Sequence, residues 1–295
     1  MKNRLVQKAV TLAITIVVLM VGLMLIGDIV RDRIHNRDRA VQSVVNSTAG
    51  SQTLFSPVLV QQCTREVSSK DSEGRAEVRL VGFQRYALPD DVKHTASAQM
   101  QPRSRGLYQV NTFVLADQIT ARFAPGNQLQ GKPEGANVRQ CDTPRLMLPV
   151  SDPRGIRTAA LQVNHQSIAL ESGTGHASYT RGLQSKALGT LNNDNTPMEV
   201  VLSLELVGTE RVGFVPLGGT NQVSLQANWP HPSFGGNFLP SRREITGSSF
   251  DASWNISSLA SSARQGFLGG KPLCAPSDPD AGVEANNSQC LEQFG

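Results

Sequence analysis

The stretch NWPHPSFGGNFLPSRREI, residues 228–245, places His231 two residues from Ser233 and follows them with Arg242 and Arg243. A serine beside an imidazole is the pairing that nucleophilic acyl transfer uses, and arginines steady an oxyanion or a phosphoryl group. In an extended segment, residues i and i+2 share a face, so contact between His231 and Ser233 is sterically open. The surroundings argue for a different role. Pro230 and Pro232 fix the backbone on both sides of His231, no G-x-S-x-G elbow surrounds Ser233, and no sequence rule identifies an acid to orient the imidazole. The same residues make a rigid corner of a β-protein. Trp229 is expected in the core at the end of a strand, with Pro230 and Pro232 turning the chain because neither can donate to a sheet ladder. Phe234 and Phe238 would cover the turn ahead of Pro240, Gly235 and Gly236 would allow its backbone angles, and Arg242 or Arg243 would bond carbonyls that the prolines leave free.

A second candidate is SDPRGI, residues 151–156, where Asp152 and Arg154 could hold an anion or a sugar. The same residues spell a turn: Asp152 bonds its own backbone, Pro153 fixes φ, and Gly155 accepts positive φ before a strand begins. The G-T-G at 173–175 is too short for a phosphate loop and reads as a hairpin turn. The five histidines, at 35, 94, 165, 176 and 231, form no H-x-H or H-x-x-x-H pair, so no metal site is expected. There is no Walker loop, dinucleotide fingerprint or internal repeat. The expectation is a chain with no catalytic residue, no cofactor and no assigned small-molecule ligand.

The elements that hold these residues begin with a membrane segment. Ala9 to Gly27 are nineteen residues without a charge, about 28 Å as a helix, which matches a hydrocarbon core of about 30 Å. The run is longer than a signal-peptide core and ends in DIVRDRIHNRDR without a small-x-small cleavage site, so it reads as an uncleaved signal-anchor. Lys2, Arg4 and Lys8 before it and Arg31, Arg33, Arg37 and Arg39 after it do not decide orientation by count. The eight-residue leader and the large polar remainder favour a cytoplasmic tail (1–8), a span (9–30) and a translocated body. All four cysteines, Cys63, Cys141, Cys274 and Cys290, follow the span, and none forms C-x-x-C. Disulfides in an exported domain are expected, Cys274 with Cys290 and Cys63 with Cys141, although three pairings are formally open. The net charge of +4 owes three charges to the N-terminal leader, and no basic cluster interleaved with aromatics follows residue 40, which argues against nucleic acid as a partner.

A helix continues through 31–50 on Val30, Ile34, Val41 and Val45 and stops near Gly50. Beyond it the pattern is period two. QVSLQANW puts Val223, Leu225, Ala227 and Trp229 on one face, and SFDASWNIS does the same with Phe250, Ala252, Trp254 and Ile256. Further strands are expected near residues 80, 115, 160, 204 and 213, separated by Gly-, Pro- and Asn-rich turns. The fold class expected is mainly β, an antiparallel sandwich-like domain over 51–268, with a loop-rich tail at 269–295. The polar, proline-containing segment Asp90 to Arg105 reads as an exposed connection.

These residues resemble the CreD family of bacterial inner-membrane proteins, described as cell-envelope integrity proteins. The specific block is WPHPSFGGNFLPSRREI followed by Phe250 and Trp254. In order with it come the N-terminal span, Arg33 and Arg37, S-T-A-G-S-Q-x-L at 47–54, S-D-P-R-G-I at 151–156 and G-T-G at 173–175. Ser56-Pro57 and Gln62 depart from the family's Gly-Pro and later proline. The family also implies further membrane helices after the periplasmic domain, and the sequence ends at Gly295 before any such block. The resemblance implies an inner-membrane, non-enzymatic protein of envelope integrity or stress tolerance, with the lipid bilayer and other envelope proteins as partners. The rival expectation is an anchored periplasmic hydrolase or glycan-binding module that uses the 229–243 corner and Arg154.

Overall fold

The computed structural model describes residues 2–70, 76–125, 129, 137–189, 196–273 and 290–295. The chain divides into two compact units, one of residues 1–47 and 103–110, the other of 48–102 and 111–295.

The first unit is built on one unbroken helix, α1 (Lys2–Ser47). Its apolar stretch is long enough to cross a bilayer, and side chains such as Leu12, Leu23 and Met24 are fully outside any protein core. The hydroxyls in that stretch satisfy themselves within the helix: Thr11 donates to the Gln7 and Lys8 carbonyls (3.1 and 3.0 Å), and Thr15 to that of Thr11 (2.8 Å). This lets polar side chains sit in hydrocarbon without an unpaired donor. After the span the buried stripe is Ala40 and Val44 with Val41, packed against Val110 and Tyr108. It lies slightly around the helix from the expected stripe, since Val30 and Ile34 are exposed.

The second unit is β. Its strands, with the short hairpin of the first unit included, are β1 (Gln52–Phe55), β2 (Val58–Lys70), β3 (Ala76–Ala87), β4 (Asp91–Met100), β5 (Arg103–Arg105), β6 (Tyr108–Val110), β7 (Thr112–Phe123), β8 (Asn137–Cys141) and β9 (Arg145–Pro149). They continue as β10 (Ile156–Val163), β11 (Gln166–Ile168), β12 (Leu170–Ser172), β13 (Gly182–Ser185), β14 (Met198–Thr209), β15 (Val212–Val215), β16 (Thr220–Ala227), β17 (Arg242–Ile245) and β18 (Phe250–Ser257). A short helix, α2 (Ala263–Leu268), follows.

The large sheet runs β11-β10-β14-β7-β4-β16-β18-β17, and the smaller one β12-β13-β9-β2-β3 with β8 also on β2. Pairing is antiparallel except for β4 with β16 and β1 with β15. Period-two alternation fills the space between the sheets. Val200, Leu202, Leu204 and Leu206 of β14 and Leu115, Ile119, Ala121 and Phe123 of β7 meet Leu59, Leu146 and Leu148 of the smaller sheet in one core. The mainly β, sandwich-like expectation holds, and each strand expected from alternation is present.

One expectation fails. Asp90 to Arg105 is no exposed connection, because Asp91–Met100 is β4, in the middle of the large sheet between β7 and β16. Its inward residues are Val92, His94, Ala96 and Ala98, of which the last three are too small or too polar to stand out by hydropathy. His94 is accommodated because its Nδ1 lies 2.7 Å from Asp117 Oδ2 on the neighbouring β7, both side chains buried, with Phe214 edge-on at 5.0 Å.

Cys63 and Cys141 are register partners on β2 and β8 and form a disulfide. The pairing expected of Cys274 with Cys290 falls on Cys274, outside the described residues. The described end of the tail is packed into the body: Phe294 is buried, exchanges backbone hydrogen bonds with Phe214 (2.7 and 3.0 Å), and lies 5.6 Å from the Trp254 ring.

A corner, a seam and a candidate cleft

The 228–245 corner places its residues partly as expected. Phe234 meets Phe250 and Trp254 edge-on at 5.6 and 5.7 Å, and Phe238 meets Phe294 at 6.3 Å, so both cover the turn. Gly236 has φ +86°, and a Cβ there would stand 2.4 Å from the Gln293 carbonyl. Pro230, Pro232 and Pro240 are half-buried along the turn.

Two details are corrected. Trp229 is half-buried, not in the core, and its Nε1 donates to the His231 carbonyl (2.7 Å), tying the loop to itself. The strand ends at Ala227, so the inward phase that would have buried Trp229 is lost two residues later. Trp254 takes the core position, 2 % exposed, with its Nε1 donating to the Phe238 carbonyl (3.2 Å). Arg242 and Arg243 are exposed on β17, and the Arg242 guanidinium faces Glu244 at 3.7 Å, not the proline-freed carbonyls. His231 and Ser233 are also exposed on the corner's outer side.

Arg154 is not an open anion site. It grips Asp152 through Nε (2.9 Å) and Nη2 (2.6 Å), while Asp152 caps the 3-10 turn Pro153–Gly155 and accepts from the Gly50 amide (3.0 Å). Burial alone would raise the Asp152 carboxyl, but the Arg154 guanidinium and the two amides outweigh it and hold it below the ordinary carboxylate range. Gly155 is required for a different reason from the one its turn suggests. Its φ is not positive, yet an added Cβ would lie 2.2 Å from the Val207 carbonyl and 2.5 Å from Gln52 Nε2. Gln52, fully buried, donates to the Asp152 and Val207 carbonyls (3.0 and 2.8 Å). Ser151 Oγ donates to the Ser51 carbonyl (2.8 Å) and accepts from the Thr53 amide (2.9 Å), and Thr209 Oγ1 donates to the Ala49 carbonyl (2.7 Å). The S-T-A-G-S-Q and S-D-P-R-G-I motifs, about a hundred residues apart, are thus two sides of one seam.

Beside the seam opens a cleft of about 460 Å³. Ser51, Thr53 and Phe55, every second residue into and along β1, line it, with Pro149 at the end of β9, Val150 and Ser151 after it, and Ser178 to Arg181 of the loop after G-T-G. Pro272 and Leu273 close one side. That loop joins β12 to β13, so G-T-G does open a hairpin connection, but a long one. The Gly175 carbonyl holds it by accepting from Gln84 (2.7 Å) and Gln62 (3.4 Å), which gives Gln62 a role where the family's proline has no donor. Beneath the loop, His176 packs with Tyr86, Tyr179 and Phe267 at ring distances of 5.2, 4.8 and 5.6 Å. The Ser178 and Tyr179 amides donate to its Nδ1 (3.0 and 3.2 Å). Burial lowers the His176 pKa and pushes the Tyr179 phenol up to about 12, so both rings are neutral at physiological pH. No His, Asp or Glu is among the residues lining the cleft, whose polar groups are hydroxyls and the Arg181 guanidinium. Such a lining suits binding by hydrogen bonds and apolar contact. Among the described residues no group of three His, Cys, Asp or Glu could hold a metal ion.

The chain combines a strand-rich body with one N-terminal helix long and apolar enough to cross a membrane. Comparison with known proteins narrows this: the family described as inner membrane protein CreD matches residues 4–290, and the chain belongs to it. A curated relative, inner membrane protein CreD of Escherichia coli (strain K12), is 27% identical over 272 residues, covering 92% of this chain and 59% of the relative. The chain therefore spans about three-fifths of that relative's length.

Two predictions follow from this geometry. Trp254→Ala should cost about 3–5 kcal/mol, and Trp229→Ala, half-buried at the edge of the core with its indole N–H bonded to its own loop, about 1–2 kcal/mol; chemical denaturation of both variants ranks them. His176 is harder to protonate folded than unfolded, so its contribution to stability is complete above its unfolded pKa of 6.5 and is lost as pH falls from 6.5 toward the lower folded value. His176→Asn keeps an acceptor for the Ser178 and Tyr179 amides and does not titrate. Its melting temperature should fall less between pH 7 and pH 5 than that of the parent, and parallel curves would contradict the assignment.

Proposed function

We propose that this chain is a non-enzymatic inner-membrane protein whose β body lies in the periplasm and supports cell-envelope integrity or stress tolerance. The observation that carries the reading is the Cys63–Cys141 disulfide, which cross-links two strands of the body and fits an oxidising compartment on the far side of α1 from the short N-terminal leader. Membership in the inner-membrane family fits it as well. A non-enzymatic role is supported by how the tempting side chains are used: Arg154 is closed onto Asp152, and Ser233 and His231 stand exposed on a turn. The cleft beside β1 favours a second component of the same role, recognition of a hydroxyl-rich ligand such as a glycan, by Arg181 and the surrounding hydroxyls.

The test joins topology to activity. Alkaline phosphatase fused after Gly295 should be active, as that enzyme requires an oxidising compartment, and an inactive fusion with a fluorescent cytoplasmic-reporter counterpart would place the body on the other side. In cells that depend on this chain for survival of an envelope challenge, Ser233→Ala should protect as the parent does. A Ser233→Ala protein that melts normally and gives no protection would reinstate the hydrolase.

A further inference from the structure

We infer that His176 makes one wall of the cleft acid-labile: a proton on its ring releases the segment Ser178 to Thr180 while the two sheets stay folded. The inference concerns the wall itself and holds whatever occupies the cleft and whichever side of the membrane the body faces.

The wall is a loop folded around one ring nitrogen. Between β12 and β13 the chain forms no strand, so its buried amides need acceptors that no ladder supplies. His176 Nδ1 accepts from the Ser178 amide at 3.0 Å and from the Tyr179 amide at 3.2 Å. Thr174 Oγ1 closes the same turn, accepting from the His176 amide at 3.1 Å and donating to the Tyr179 carbonyl. Thr174, His176 and Tyr179 are buried, whereas Ser178 and Thr180 are exposed at the cleft. The exposed wall is held from beneath by a side chain that titrates.

A neutral imidazole carries one N–H, and with Nδ1 accepting twice that hydrogen is on Nε2. A second proton has to go on Nδ1, where it points at two amide N–H groups that cannot accept it. The imidazolium and the closed turn therefore exclude each other. The surroundings offer the charge nothing. Tyr86 of β3, Tyr179 of the loop and Phe267 of α2 pack on the ring, and both phenols are pushed up to about 12, so they stay neutral in acid. Phe55 of β1 reaches this cluster at 5.3 Å from Tyr179. Lys271, after α2, meets it through a backbone carbonyl that accepts from the Tyr179 phenol at 2.5 Å. Burial lowers the His176 pKa, and no carboxylate among the described residues counters it.

Release is local because the segment is fastened at both ends by bonds that do not involve the ring. On one side the Gly175 carbonyl accepts from Gln84 at 2.7 Å; on the other the Arg181 carbonyl accepts from the Val150 amide at 3.1 Å. His176 is also absent from the large core between the sheets. The residues between these anchors can open with the strands intact. In the open loop the ring titrates near its ordinary 6.5, and in the closed loop below it. Between pH 7 and pH 5 the open fraction then rises by up to about 25-fold. Acid thereby removes the Ser178 and Thr180 hydroxyls from beside Arg181, the one charged group among the residues lining the cleft.

Hydrogen–deuterium exchange of the full chain in phospholipid nanodiscs reads this opening directly. Rates at pH 7 and pH 5 are corrected for the intrinsic pH dependence of amide exchange. Protection of the Ser178 and Tyr179 amides should fall at least several-fold, and up to about 25-fold, at pH 5, while amides of β7 and β14 keep theirs. In His176→Asn, which offers the same amides an acceptor and does not titrate, loop protection should be equal at the two pH values. This variant also separates His176 from His94, the buried histidine of the large core, which it leaves in place. A parent loop as protected at pH 5 as at pH 7 would overturn the inference with no variant needed. So would β7 and β14 losing protection in step with the loop, or a folded His176→Asn protein whose loop loses protection as the parent's does.

Discussion

The β body depends on the buried Gln52 amide. Its nitrogen reaches the Asp152 and Val207 carbonyls, which belong to segments a hundred and more residues further along the chain. Leaving a buried donor unpaired costs about 1–3 kcal/mol, and the Gln52 nitrogen avoids that cost although its buried Oε1 has no partner among the described residues. The partners here are backbone groups that no regular ladder supplies. The 3-10 turn at Pro153–Gly155 exists to present one of them, and Gly155 has no side chain because Gln52 and the Val207 carbonyl fill that space. Asp152 then fixes the first residues after α1 through the Gly50 amide. The start of the body is thereby determined by contacts with its middle.

That seam also shapes the cleft beside it. With Gln52 and Leu54 facing the large core, strand alternation turns Ser51, Thr53 and Phe55 to the other side, where they line the cleft, Thr53 and Phe55 from buried positions. The opposing wall, Ser178 to Arg181, is held by the neutral His176 ring and its aromatic neighbours. Its shape is set by desolvated groups, while its exposed chemistry is a guanidinium and hydroxyls. Such a groove offers a molecule hydrogen bonds and apolar contact.

What was legible in the sequence was whatever repeats. Alternation exposed β7, β14, β16 and β18, and nineteen uncharged residues exposed the apolar part of α1. β4 escaped because His94, Ala96 and Ala98 on its inward face carry little hydropathy, and His94 is tolerable there only through Asp117, 23 residues away on β7. Arg154 looked available because its partner is a near neighbour that a turn already accounted for. Trp229 and Trp254 shared the same inward phase, and only the place where β16 ends separates them. Gly155 was legible as necessary but for the wrong cause: the crowding comes from Gln52 and Val207, whose proximity no local pattern encodes. The motifs themselves, S-T-A-G-S-Q and S-D-P-R-G-I, were visible as separate pieces, and their meeting is a tertiary fact.

The most direct measurement of this dependence is the thermal unfolding of Gly155→Ala beside Gly82→Ala. Gly82 has open space around its missing Cβ and an ordinary backbone, so its alanine variant should melt at or slightly above the parent. At Gly155 the added carbon must displace the Val207 carbonyl or the Gln52 amide, an overpacking cost of about 1–3 kcal/mol. For a body of this size that lowers the melting temperature by roughly 3–10 °C. If Gly155→Ala melts with Gly82→Ala, the seam is not what holds the body together.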